Sequence, residues 1–170
     1  MKKSLCLLIG LLSFSFLSPV SAAEKAYPEK DPVFQYVAPE KWKSEIDKKE
    51  GNLTILSESG QICVTFGTIP IEASMEVFEK MLPAMLKAIT DPVQVDKPKE
   101  HSEDGLTGFT ATYTGKIQDK PALCIFVLFK GGKERGILGN IIVADPEKLS
   151  KEDSEAMGNF MKSMKGVAKK

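Results

Sequence analysis

The densest apolar run in the chain is Leu123-Cys124-Ile125-Phe126-Val127-Leu128-Phe129. A strand turns successive side chains to opposite faces, so a run that is apolar at every position needs cover on both. It lies in the middle of three expected strands, 107–116, 121–130 and 135–143. Turns at Gln118-Asp119-Lys120 and Gly131-Gly132-Lys133-Glu134 join them. The outer two strands mix Thr with apolar residues and predict less complete burial. Gly139-Asn140 inside the third predicts a bulge.

Upstream, residues 33–37 and 42–46 read as short strands, and 53–57 with 61–67 as a hairpin turned at Glu58-Ser59-Gly60. Asp47-Lys48-Lys49-Glu50 is a solvated turn of mixed sign. Phe78, Leu82, Met85, Leu86 and Ile89 recur at helical spacing and predict a helix over 74–89. Ser74 is its N-cap, Pro83 kinks it and Asp91-Pro92 ends it. Val93 to Val95 opens a further strand, whereas 96–104 is polar and reads as a loop. Met157, Phe160, Met161 and Met164 predict a last helix over 151–164, capped by Ser150 and stopped near Gly166. Together these elements predict an α+β fold: an α/β/α sandwich with a central antiparallel sheet flanked by two main helices. With both sheet faces covered, a binding surface would be confined to a sheet edge, a loop or an outer helix face. Loops 96–104 and 131–135 are candidates on that ground.

The first 23 residues read as an export signal. Lys2 and Lys3 precede an apolar stretch over 5–17, and Pro19-Val20-Ser21-Ala22-Ala23 offers small residues for cleavage. The stretch is short of the roughly 20 residues of a membrane span. Cys6 sits too early to be a lipidation site. Residues 24–32 are charged and contain proline, and predict a flexible linker before a single domain over 33–166. The expected location is periplasmic or secreted, with no transmembrane span after cleavage.

The whole chain balances 23 basic against 23 acidic residues, and losing Lys2 and Lys3 leaves an acid excess of two. Nucleic acid demands a basic face, so it is not an expected partner. Export leaves Cys63 and Cys124 where a disulfide can persist. Two buried thiols, or a bridge contributing about 4 kcal/mol in the chain-entropy account, both fit the spacing.

Several residues carry a family likeness. Tyr36-x-x-Pro39-x-x-Trp42 leads into Gly51-Asn52-Leu53-Thr54-Ile55-Leu56-Ser57, a turn at Gly60, and Ile62-Cys63-Val64-Thr65-Phe66. A helix, Gly108-Phe109-x-Ala111, Gly115 and a final helix follow. This pattern resembles the PsbP-like proteins, including exported bacterial members of the DcrB type. The resemblance implies the sandwich fold and a non-enzymatic accessory or binding role in an exported compartment. It brings no catalytic signature. DcrB-type members are often lipoproteins, and this chain departs from them because no Cys stands at the cleavage site.

The residues themselves mark out no catalytic, cofactor-binding or metal site. The expected partner is an envelope protein or a small ligand. His101 is the only His, set in Glu100-His101-Ser102-Glu103-Asp104. It lacks the closely spaced His and Cys partners of a zinc site. Met75, Met81, Met85, Met157, Met161 and Met164 are soft thioethers suited to copper, and equally good core filler. A periplasmic metal-handling (copper) protein is therefore one alternative. A hydrolase or thiol enzyme is the other. It would need His101 with a Ser, or with Cys63 or Cys124, and the chain carries no Gly-x-Ser-x-Gly elbow. Gly131-Gly132-Lys133 lacks the spacing of a phosphate loop and reads as a hairpin turn.

Overall fold

The computed structural model describes residues 23–167, so the expected export signal up to residue 22, Cys6 included, and the last three residues lie outside the described part. Ten strands and two α-helices follow in order. They are β1 (Glu24–Tyr27), β2 (Phe34–Val37), β3 (Lys43–Ile46), β4 (Leu53–Leu56), β5 (Ile62–Ile69) and α1 (Met75–Met85). Then come β6 (Thr90–Glu103), β7 (Leu106–Ile117), β8 (Lys120–Lys130), β9 (Gly136–Ala144), α2 (Lys151–Ser163) and β10 (Lys165–Gly166). Seven strands form the main sheet in the order β3-β4-β5-β9-β8-β7-β6, and β1-β2-β10 form a small second sheet. Every pairing is antiparallel. Two helices against a large antiparallel sheet give the expected fold class.

The covers on the two faces of the main sheet are offset. On the first face, the small sheet and α2 seal β4, β5, β9 and β8. Phe34, Tyr36, Phe160 and Met164 pack there on Leu53, Ile55, Val64, Phe66, Phe129 and Ile141. On the second face, α1 seals β7 and β8, with Phe78 and Leu82 on Phe109, Ala111, Tyr113, Phe126 and Leu128. Only β8 lies deep under both covers. Leu123, Ile125, Val127 and Phe129 face one core, and Ala122, Cys124, Phe126 and Leu128 the other. That overlap is why its run is apolar throughout, while β5 and β7 alternate with Thr.

Aromatic rings fill the first core. Phe34 meets Phe66 edge-on at 5.1 Å between centroids and Phe129 at 5.8 Å. Gly139 pairs with Phe66, and a Cβ there would collide with the Phe66 ring. The strand runs in register through Gly139 and Asn140, so the expected bulge is absent and the glycine serves ring packing instead.

The expected linker over 24–32 is folded. β1 pairs with β2, and Tyr27 is buried, its hydroxyl shared between the carbonyls of Gly51 and Phe66 at 2.9 and 3.0 Å. Asp31 pairs with Arg135 at 2.8 Å. Charge and proline marked the segment as a linker, but Tyr27 and Ala26 supply an apolar edge that pairs with β2. Tyr27 joins the rings of Phe34 and Phe66.

The loop expected over 96–104 is strand as well. β6 is a 14-residue edge strand, exposed along nearly its whole length. Register shifts between Thr90 and Lys99 interrupt its pairing with β7. Lys97, Pro98 and Lys99 with these irregularities blunt the free edge against a further strand. Its polarity reflects the absence of a cover, not of a strand.

Both helix starts follow the sequence reading. Ser74 and Ser150 accept from the backbone N–H of Val77 and Asp153 at 3.2 and 3.0 Å. Past Pro83, α1 tightens into a 3₁₀ turn at Leu86–Ala88. α2 ends at Ser163, before Gly166, because the chain turns extended to pair β10 with β2.

Candidate functional site

The offset leaves half of the second face open, so the expectation that helices close both faces does not hold. Beyond α1, the floor is built by residues of β4, β5 and β9 that register places side by side. Thr54, Thr65 and Asn140 form one row. Leu56, Cys63 and Ile142 form the next row, outside the recess, with Ile142 packed against the α1 core. The Thr65 hydroxyl donates to Asn140 Oδ1 at 2.9 Å, which leaves the Asn140 amide N–H groups for a ligand. With Asn52, Met85, Phe126 and Leu138, the Thr54–Thr65–Asn140 row lines a recess of about 460 Å³. That lies within the roughly 300–1,000 Å³ typical of ligand clefts. Its centre is polar and uncharged and its flanks are apolar. Such a floor can hydrogen-bond a peptide backbone or a neutral polar ligand while burying apolar surface beside it.

A second recess, about 440 Å³, lies at the start of α2, between Trp42, Ser59, Ser150 and Asp153. Asp153 is 8 % exposed. Instead of closing a capping box with Ser150, it accepts from the Ser59 hydroxyl at 2.7 Å. Ser59 in turn bonds Ser57 at 3.1 Å, and Ser57 accepts from the Ile62 N–H at 3.0 Å. The helix N-terminus favours the buried carboxylate. This network fastens the β4–β5 turn to α2, and its groups bond one another. Trp42 is buried beside it as a core anchor.

Cys63 and Cys124 are free thiols. Both pair with Ile142, one from each side. They therefore stand two strand spacings apart, about 9.6 Å at ~4.8 Å per strand, beyond the ~7 Å a bridge can span. Burial pushes both thiols up, away from the thiolate a nucleophile needs. Both also face α1's side of the sheet. His101, paired with Gly108 opposite Phe129, faces the other side, so the sheet separates the Cys–His pair a thiol enzyme would use.

His101 Nε2 lies 3.1 Å from Glu103 Oε2. The methionines do not gather in one cluster: those of α1 and α2 lie on opposite sides of the sheet. Met161 and Met164, however, line a recess with His101, a juxtaposition the sequence order hides. Gly131 N–H donates to the Arg135 carbonyl at 3.0 Å, and Arg135 Nε and Nη2 donate back to the Gly131 carbonyl, so this segment is the expected hairpin turn. Among the described residues no helix is long and apolar enough to cross a membrane.

Solved structures share this arrangement of layers. LpqN of Mycobacterium tuberculosis, described as involved in cell envelope biogenesis, superposes with a TM-score of 0.58 at 11% identity, covering 86% of this chain and 91% of that one. The cyanobacterial PsbP of Synechocystis gives 0.53 at 11% identity over 96% and 98%. The fold is PsbP-like. A Bacteroides thetaiotaomicron protein gives 0.51 at 8% identity over 82% of this chain, which spans only about half (47%) of that protein. No family model and no curated protein matches the chain. The likeness is one of fold, at identities too low to carry a site across.

The open half-face was missed by sequence reasoning. Its one signal is Thr65 and Asn140 at positions where strands of a doubly covered sheet would carry apolar side chains.

Proposed function

We propose that this is an exported, non-enzymatic binding or accessory protein of the cell envelope, which engages a partner protein through the open half of its main sheet. The observation that carries the reading is the Thr54–Thr65–Asn140 row, exposed at Thr54 and half-buried at Thr65 and Asn140, on strands β4, β5 and β9 whose reverse side is sealed. A floor so placed can accept a segment of another protein without disturbing the core. The export signal motivates the location, and the envelope role described for LpqN, a protein of the same fold, supports it.

A photo-crosslinking residue placed at Thr54, in cells expressing the full chain, tests this. Thr54 should yield one envelope protein, and the exposed Asn159 of α2 should not. The purified partner should bind the protein, and Thr54→Arg should weaken binding at least tenfold. Crosslinks that arise only from α2, or reproducible turnover of a defined substrate abolished by a point substitution, would overturn the reading.

A further inference from the structure

On the first face, the small sheet and α2 stop short of β6, and the recess at that margin holds about 150 Å³. His101 and Glu103 come to it from β6, Met161 from α2 and Met164 from the C-cap that ends it, and Val127 and Phe129 form its apolar floor. The volume is small for an organic ligand, for which clefts run roughly 300–1,000 Å³. Two thioethers and an imidazole, separated by some sixty residues in the chain, converge here.

We propose that His101, Met161 and Met164 form a binding site for a soft monovalent cation, Cu(I) or its analogue Ag(I). Thioether sulfur is a neutral, soft donor that suits Cu(I) and serves Zn(II), Ca(II) or Mg(II) poorly. Imidazole completes a three-donor set. Glu103 Oε2 lies 3.1 Å from His101 Nε2 and favours the tautomer that carries its proton there, with Nδ1 as the ligand. This is the carboxylate–histidine pairing that commonly orients a metal-bound imidazole. The Glu103 carboxylate also balances the single positive charge, against Lys162, the one cationic residue at the rim. Met161 gives the second, independent sign. It is 37 % exposed and takes no part in the apolar core, although its neighbours on the same helix face, Met157 and Met164, do. Met161 therefore stands on the open side of the recess, within reach of an incoming ion. The site is distinct from the open half-face, and each proposal can fail without the other.

The test uses protein isolated from cells expressing the full chain. Cu(I) is titrated anaerobically against a chromophoric Cu(I) chelator, and Ag(I) is followed in the methionine methyl NMR spectrum. One Cu(I) per chain is expected. Ag(I) should move the methyl signals of Met161 and Met164 and leave those of Met75, Met81 and Met85 in place. His101→Ala and Met161→Leu should each weaken Cu(I) binding about tenfold or more with an unchanged thermal midpoint. Met164 is buried, so Met164→Leu is compared only if its midpoint stays at the wild-type value. Met81→Leu should leave binding unchanged. Failure of the protein to withdraw Cu(I) from the chelator, wild-type affinity in His101→Ala or Met161→Leu, or methyl shifts confined to α1 would each overturn the proposal. So would Zn(II) binding as tight as Cu(I) that persists in Met161→Leu.

Discussion

The two faces of the main sheet are built from the same strands and do different things. The first is sealed across β4, β5, β9 and β8 by a shell of rings in which Tyr27, Phe34, Phe66 and Phe129 touch one another. The second is sealed only under α1, where Phe78 stacks on Phe109. What differs is the length of chain available as cover, not the strands. α1 has 11 residues, or about 16 Å at 1.5 Å per residue, whereas the sheet's seven strands at ~4.8 Å span about 29 Å. One short helix cannot span that width, so a half-face stays open. Stability should therefore reside mainly on the first face, and binding on the second.

The largest expected effect tests that division directly. Phe34→Ala removes a fully buried ring that contacts four others and should cost about 5 kcal/mol, at the upper end for a Phe truncation. Phe78→Ala, with one ring contact, should cost about 3 kcal/mol. Urea unfolding of both variants measures the difference. An equal or reversed order would show that α1 holds the fold as firmly as the aromatic shell does.

How much of this was legible beforehand follows from what a periodicity can record. The apolar run of β8 announced a doubly covered strand, and Ser74 and Ser150 announced the helix starts, because each signal is local. β1 did not announce itself, and β6 did so only at Val93 to Val95. An edge strand without a cover has no apolar face, and β1 shows only one deeply buried residue, Tyr27. The offset of the covers is a tertiary fact. It surfaces in the sequence only as Thr65 and Asn140 on one side and as Thr110, Thr112 and Thr114 of β7 on the other. His101 and Met161 could not be joined from sequence, since residues 96–104 were read as a loop and some sixty residues separate them.

The next effect concerns the polar fastening on the first face. Asp153→Ala would remove the bond that the exposed Ser59 hydroxyl donates to a buried carboxylate and should cost about 1.5–3 kcal/mol, the usual worth of a hydrogen bond to a charged group. Ser59→Ala would strand the carboxylate instead, and the double variant should cost less than the two single ones together, because they share one bond. Strictly additive unfolding energies would mean that the network contributes no coupling.

Alkaline pH should loosen the protein. Burial raises the Cys63 and Cys124 thiols and the Tyr27 and Tyr36 phenols. A raised pKa means that the folded chain holds these protons more tightly than the unfolded chain does. Their stabilisation is full below the unfolded values, about 8.5 for the thiols and about 10 for the phenols, and is lost as pH rises through the folded ones. The urea midpoint should therefore fall from pH 8.5 upward. Cys63→Ala with Cys124→Ala should flatten the early part of that fall, and a midpoint that rose with pH would contradict the sign.

The smallest effect on stability should be the largest on function. Thr54 is exposed on the open half-face, opposite Glu45 of β3 and Thr65 of β5. Thr54→Lys removes no buried contact and should change the unfolding energy by no more than about 0.5 kcal/mol. The new ammonium group would nevertheless stand in the row that Thr65 and Asn140 complete, where a docking segment would have to desolvate it. Partner binding should fall at least tenfold while the melting curve stays in place. The same substitution at Thr112, in the open margin of the first face, serves as the control and should leave partner binding intact. If the two lysines weakened binding equally, the effect would be one of net charge, and the open half of the second face would lose its claim to be the binding surface.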